Sequence, residues 1–174
     1  MPSGKVHTLI NTAVYGVFAS SLAYLHFGLS LPLDLGHLAR FSAAYWAGTV
    51  LFSPDLDLAA DQNVDSKRAW GVLGVLWEPY GRLFSHRGLS HTWMVGPLTR
   101  LVYLALILAP LVLLSGLFLP QLVSLERLPL SLEYWSTAIA GYYLSQWLHL
   151  VADGIYPDRV PPSLRARGRR RRRG

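Results

Sequence analysis

The chain has 174 residues, 52% of them hydrophobic and only 15% charged, where soluble domains usually carry about a quarter charged residues, so an ordinary soluble enzyme is disfavoured. The net charge of +6 gathers in Arg165, Arg167 and Arg169 to Arg173, which excludes a nucleic-acid-reading surface spread over a fold. No cysteine is present, so disulfide scaffolds, thiolate zinc sites, cysteine nucleophiles and iron–sulfur clusters are excluded together, and any metal must be held by His, Asp, Glu or backbone.

Four stretches free of Asp, Glu, Lys and Arg imply an all-α, polytopic membrane protein of about four transmembrane helices, because about 20 apolar residues rising 1.5 Å each cross a roughly 30 Å hydrocarbon core. The first, residues 6–33, runs well past the h-region of a cleavable signal peptide and reads as a retained span. The second, 41–54, reaches full length only if it begins near Leu35, with Arg40 snorkelling to the surface. The segment from Trp70 to Trp77 is too short to span. Its terminal tryptophans suit a helix at the headgroup level, and ordinary packing under the loop fits them equally well. The third stretch, 101–125, contains Pro110 and Pro120. The fourth, 134–152, carries Tyr134, Trp135, Tyr142, Tyr143 and Trp147, which suit interfacial or helix-packing positions.

With four spans, Lys5, Lys67, Arg68, Arg82, Arg87, Arg100, Arg159 and the tail arginines fall on one side, and only Arg40 and Arg127 on the other. Basic residues are retained in the cytoplasm, so both termini and a segment of about 55–100 are expected there, in a bacterial inner membrane. Residues 1–157 then form the helical membrane domain, and 158–174 a basic, disordered tail. Anionic lipid headgroups are the tail's nearest counter-charge, at about 1 kcal/mol per arginine. Membrane lipids are the expected partners, with no specific nucleic acid.

The polar residues able to ligate metal sit at span ends: His7, Asp55, Asp57, His86, His91, His149 and Asp153. On this topology all seven share the cytoplasmic boundary, whereas His26 and His37 fall towards the outside and read as a packing and a loop residue. Singly, such a His is more often a hydrogen-bonded packing residue and such an Asp a helix cap. Together, on one side of a charge-poor chain, they point to a metal site, since ionisable groups near lipid are costly. His149 and Asp153 are i and i+4 on one helix face. Pro54 disfavours helix at Ser53, so an extended chain is expected to point Asp55 and Asp57 the same way. Gly88 permits a tight turn that folds His86 and His91 to one point, with Arg87 between them as a partner for an anionic oxygen.

Ser-Pro-Asp-Leu-Asp at 53–57, Trp70-Gly…Trp77-Glu-Pro-Tyr80, His-Arg-Gly-Leu-Ser-His at 86–91, His149-Leu-Val-Ala-Asp153 and the opening Met1-Pro-Ser-Gly-Lys-Val-His7 together resemble the bacterial family of small metal-binding inner-membrane proteins related to the YdjM-like membrane-bound metal-dependent hydrolases. The resemblance covers nearly the whole chain up to about Pro157 and leaves out the arginine tail. It implies a metal-binding, multi-spanning helical protein.

Mixed His and carboxylate ligation suits Zn²⁺ best, with Mn²⁺ or Fe as alternatives and Mg²⁺ less natural. Seven ligands exceed the need of one ion, so one or two ions are expected. The reaction that fits is hydrolysis of a phosphoester or other ester at the membrane surface, with Asp57 or Asp153 as bridging carboxylate and Arg87 holding the substrate's anion. The alternative is a non-catalytic metal protein, in which the ion ties helix ends together or is sensed. No Gly-rich phosphate loop, Gly-x-Ser-x-Gly elbow or His-Glu-x-x-His helix is present.

Overall fold

The computed structural model describes residues 3–118 and 131–157, and within them every regular element is helical. Helix α1 (Gly4–Ala23) continues through a π-helical turn, Tyr24–Gly28. Helix α2 (Leu35–Val50) starts at Asp34, whose carboxylate accepts from the His37 N–H at 2.9 Å, satisfying one of the donors a helix start leaves open. After α2 come a 3₁₀ turn (Pro54–Leu58), α3 (Asp65–Ala69), a 3₁₀ segment (Gly71–Trp77), α4 (Glu78–Leu83) and a 3₁₀ turn (Leu89–His91). Two long helices close the described fold, α5 (Val95–Phe118) and α6 (Leu132–Ala152).

Helices α2 and α6 lie side by side and run the same way, because two glycines let their backbones meet. A Cβ on Gly141 would stand 2.3 Å from the Phe41 carbonyl oxygen, and one on Gly48 would stand 2.1 Å from Ser145 Oγ. Helix α1 runs antiparallel to this pair. Tyr45 donates to the Asn11 carbonyl at 2.8 Å, Tyr15 to Ser42 Oγ at 2.7 Å, and Phe18 meets Phe41 at 4.8 Å between ring centroids. Asn11 Nδ2 joins all three helices by donating to Thr49 Oγ1 and the Ser145 carbonyl.

The segment between α2 and α5 has its own small core of Leu56, Ala59, Trp77 and Tyr80, flanked by Phe52, Trp70, Phe84 and Tyr103. Lys67 donates to the Ala59 carbonyl and to Glu78, at 2.8 and 2.9 Å. Both tryptophans turn inward: Trp77 is buried and Trp70 donates to the Leu51 carbonyl at 2.9 Å. Between the two tryptophans the exposed apolar side chains are Val72, Leu73 and Val75. Packing therefore accounts for the tryptophans, and any surface contact falls to the residues between them.

Two helices of the described chain, Gly4–Gly28 and Val95–Gly116, are long and apolar enough to cross a membrane. Both are almost wholly unburied, unlike the core helix of a soluble domain, and they point to membrane association. The expected second and fourth spans differ. Helix α2 has 16 residues, about 24 Å at 1.5 Å per residue, short of a roughly 30 Å core. Helix α6 has 21 residues but buries Ser145, Gln146 and His149 against its neighbours, and these polar groups lower its hydropathy. The Arg40 guanidinium lies 4.3 Å from the centre of the Tyr134 ring, a cation–π contact. Pro120, Arg127, Arg159 and the tail arginines lie outside the described residues.

The α2–α6 contact makes a stability prediction. Gly141→Ala, whose new methyl meets a backbone oxygen, is expected to cost about 1–3 kcal/mol. Gly16→Ala, with nothing within 4 Å of its Cβ, should be neutral or stabilising by up to about 1 kcal/mol. Thermal unfolding in detergent, followed by circular dichroism, measures both.

Candidate metal centre

The seven residues singled out in the sequence come together at one end of the helix bundle. His7 comes from the first turns of α1, Asp55 and Asp57 from the turn after α2, His86 and His91 from the loop before α5, and His149 and Asp153 from the end of α6. The turn after α2 departs from expectation. Ser53 is extended, at φ −55° and ψ 146°, as the residue before proline should be. Its Oγ then accepts from the Asp55 N–H at 3.4 Å and Pro54 takes the first helical position, so a 3₁₀ turn forms in place of a strand. The two carboxylates consequently diverge: Asp55 faces His149 and Asp57 faces the His86–His91 loop.

That loop is held by a turn from Ser85 to Gly88, whose N–H donates to the Ser85 carbonyl at 2.8 Å. The left-handed residue is Arg87, at φ 58°, not the glycine. Gly88 is needed for close approach, since a Cβ there would stand 2.7 Å from both Ser85 oxygens.

Asp55, His91, His149 and Asp153 form the inner group, their ligand atoms all within 4.8 Å of one another. His149 Nε2 lies 3.5 Å from Asp55 Oδ1 and 3.6 Å from Asp153 Oδ2, and His91 Nε2 lies 3.9 Å from Asp153 Oδ2. Two ligands bound tetrahedrally at about 2.1 Å stand about 3.4 Å apart, so these spacings suit one ion. The hydrogen bonding agrees. His91 Nε2, His149 Nε2 and both Asp153 oxygens are buried and have no hydrogen-bond partner, a costly arrangement unless a further group satisfies them. The donor set and its unsatisfied atoms fit a divalent cation.

Asp57, His86 and His91 form a second group sharing His91, but its atoms are already bonded to each other. Asp57 Oδ1 lies 2.9 Å from His86 Nδ1, while Oδ2 accepts from Ser90 Oγ at 2.6 Å and lies 3.0 Å from His91 Nδ1. With Nδ1 held by Asp57, His91 presents Nε2 to the inner group, the usual carboxylate–histidine arrangement behind a metal ligand. Asp57 thus orients His91, and with His86 and His91 it also makes a second group able to hold an ion. His7 stacks on His149 at 3.7 Å between ring centroids, its Nε2 3.3 Å from Asp153 Oδ1.

Burial opposes ionisation of Asp55 and Asp57, but the facing imidazoles prevail, and both carboxyls are held below the usual range. At Asp57 the Ser90 hydroxyl adds to the effect of His91 and His86. Asp153 is lowered in the same way by His149 and His7. Burial pushes the His91 imidazole down against the pull of Asp57, which favours the neutral ring that ligates metals.

Sequence reading missed Arg100, counted above as a flanking charge. It is fully buried and donates to the Ser90 carbonyl at 3.0 Å and to Gln146 Oε1 at 2.7 Å, while Gln146 Nε2 donates to the Gly48 carbonyl. Helices α5, α6 and α2 are thereby tied to the loop that carries His91. The available signal was an arginine one turn inside an apolar helix, where a charge is costly.

Asp57→Asn leaves the inner group intact but disturbs the His91 tautomer, so metal affinity should fall about 10- to 100-fold. Asp153→Ala should remove most of it. Competition against a chromophoric chelator reads both, and equal affinity in wild type and Asp57→Asn would refute the orienting role.

A model of the uncharacterized metal-binding protein family DUF2227 matches residues 2–160, nearly everything before the arginine tail. An uncharacterized protein of Aquifex aeolicus (strain VF5) is 38% identical over 64 residues, which are 37% of this chain and 43% of that protein. The matched stretch thus spans under half the length of that relative. No solved structure matches. The likeness to YdjM-like hydrolases rests on the short motifs alone, whereas the matched family is described by metal binding without a reaction. With its acid and imidazole cluster built from motifs inside the matched region, the chain belongs to the DUF2227 family of metal-binding proteins.

Proposed function

We propose that this protein is a membrane-associated hydrolase dependent on a divalent metal ion, with Asp55, His91, His149 and Asp153 as the ligands. The observation that carries this reading is that Asp55, one of the four ligands, borders open space on two sides. Asp55 and His149 form part of the wall of a cavity of about 110 Å³ between α1, α2 and α6, and a separate cleft lined by Ser3, Gln62, Asn63 and His86 also reaches Asp55. Two imidazoles and two carboxylates without thiolate suit Zn²⁺ best, with Mn²⁺ or Fe as alternatives. Such an ion polarises a substrate oxygen and acidifies water at neutral pH.

The chain's own residues supply the rest. Asp57 fixes the His91 ring, and Ser90 and Arg100 fix the loop that holds both. His7 keeps its Nε2 beside Asp153 and lines the cavity next to His149, the place for a general acid or base. His86 sits on Asp57 at the edge of the cleft. Membrane association rests on α1 and α5. If α2 and α6 cross as well, six basic residues outside the tail still stand against two once Arg100 is withdrawn into the interior, and that topology places the site at the cytoplasmic face of a bacterial inner membrane.

One observation favours the structural alternative: the four ligands come from the end of α2, the loop before α5 and α6, so an ion would also staple these elements. His7→Gln separates the two readings. In a hydrolase it should retain metal and lose about 10²- to 10⁴-fold in turnover of a carboxylic-ester and amide panel. If chelation lowers thermal stability while no ester, amide or phosphoester is turned over by metal-loaded wild type, the site is structural.

A further inference from the structure

The 3₁₀ segment Gly71–Trp77 turns its side chains in two directions. Trp77 is buried against Phe52, Tyr80 and Tyr103, and Trp70, just before the segment, donates to the Leu51 carbonyl. Val72, Leu73 and Val75 are left outward, Val72 at 91% exposure. Val72 and Val75 are i and i+3 in 3₁₀ turns, where such residues stack along one edge. The segment is nevertheless tied down from behind. Tyr103 donates to the Leu76 carbonyl at 2.6 Å, the Leu73 N–H donates to the Trp70 carbonyl, and a Cβ on Gly74 would stand 2.5 Å from the Lys67 carbonyl oxygen. Large aliphatic side chains held outward together by a packed turn mark a surface that meets a partner.

The depth of the segment identifies that partner. Tyr103 follows the start of α5 at Val95 by eight residues, about 12 Å along the axis at 1.5 Å per residue. Val95–Gly116 is one of the two stretches long and apolar enough to cross a membrane, and Val95, Leu98, Leu101 and Val102 already present apolar surface outward. A segment bonded to Tyr103 therefore lies beside α5 where that apolar surface has begun. No charged residue lies between Gly71 and Trp77, and the exposed Arg68 and Arg82 flank it. Sinking its outer edge into hydrocarbon strands no charge, and the flanking arginines can meet headgroups. Three side chains offer far less than the roughly 800 Å² per partner of a stable protein interface, whereas a bilayer asks only for apolar groups at the right depth.

We propose that Val72, Leu73 and Val75 form an edge that dips into the lipid surface beside α5, at the boundary of headgroups and acyl chains. This goes beyond the hydrolase reading and holds whether or not the ion is catalytic; it rests on the membrane association of α1 and α5. Trp77 and Tyr80 share a core with Leu56, which stands between Asp55 and Asp57 in the chain, so one small core carries both the lipid contact and the carboxylate turn.

The chain has no cysteine, so Val72→Cys, Gln62→Cys and Leu113→Cys each give the full-length protein a single thiol for a nitroxide spin label. All three positions are exposed, Gln62 at the polar cleft and Leu113 far along α5. The labelled proteins are reconstituted into vesicles of phosphatidylcholine and phosphatidylglycerol. Electron paramagnetic resonance then compares relaxation by oxygen, which concentrates in lipid, with relaxation by a nickel chelate, which stays in water. An interfacial apolar face sits about 5–10 Å into the boundary, so the oxygen-to-nickel ratio at Val72 should approach that at Leu113 and exceed that at Gln62 by about fivefold or more. Val75→Cys, on the same edge, gives the same reading if Val72→Cys folds poorly. A lipid-like Leu113 with Val72 as wet as Gln62 would overturn the proposal and leave membrane association standing, whereas Leu113 as wet as Gln62 would overturn both. Spin–spin broadening at Val72 that vanishes on dilution with unlabelled protein would assign the edge to a second copy of the chain and overturn the lipid contact.

Discussion

The Asp153 carboxylate dominates this structure. Its side chain is fully buried, both oxygens lack a hydrogen bond, and three imidazoles approach within 3.9 Å. A carboxylate in such surroundings is tolerated only if positive charge is delivered to it, because burial of an unpaired charge costs several kcal/mol. The other parts of the site follow from that need. His149 sits one helical turn earlier on the same face, His91 is brought in by a loop, and Asp57 stands behind His91 to fix which nitrogen faces inward.

Holding these groups within a few tenths of an ångström requires a rigid frame, and the frame is the α2–α6 pair. Gly48 and Gly141 bring the two backbones into contact, so the end of α2 and the end of α6 are fixed relative to one another. Gln146 and Arg100 extend the frame to the loop through side chains rather than backbone packing. Helix α5 adds little more: Pro97, Thr99, Arg100 and Tyr103 make its bonds to the rest of the fold, while Leu106, Leu111, Leu113 and Phe118 present apolar surface outward. The site is therefore built at the junction of a packed pair of helices and two long apolar ones.

The convergence of the ligating residues was legible in the sequence because it needs only their positions at helix ends. His7, His149 and the two loop motifs could be placed at one end by counting residues along apolar stretches. The finer geometry was not legible. Ser53-Pro54 signals an extended Ser53, and it equally forms a helix start, with serine as cap and proline in the first position. The competing cap prevailed and rotated Asp55 away from Asp57. Arg100 was misplaced because its partners, the Ser90 carbonyl and Gln146, lie 10 and 46 residues away, and no local pattern records such bonds. Two of the four spans, α1 and α5, stand out by length and hydropathy, whereas α2 is short and α6 uses one face for hydrogen bonding to its neighbours, so these two are less plainly spans.

Arg100 also completes a charge balance. Its guanidinium holds Ser90, whose hydroxyl holds Asp57, so this buried cation belongs to the same connected set as the three buried or half-buried carboxylates. Asp55, Asp57 and Asp153 with Arg100 and neutral imidazoles leave two negative charges, which one divalent cation would balance. A loaded centre would then be electroneutral, whereas without the ion the His149 ring, held above the usual imidazole range by Asp153 and Asp55 despite its burial, is the group placed to hold a compensating proton. Loading and protonation become alternative ways to balance one charge. Ion uptake at this site is consequently an exchange that releases protons to the medium, and its equilibrium is governed by the local pH as well as by the supply of metal.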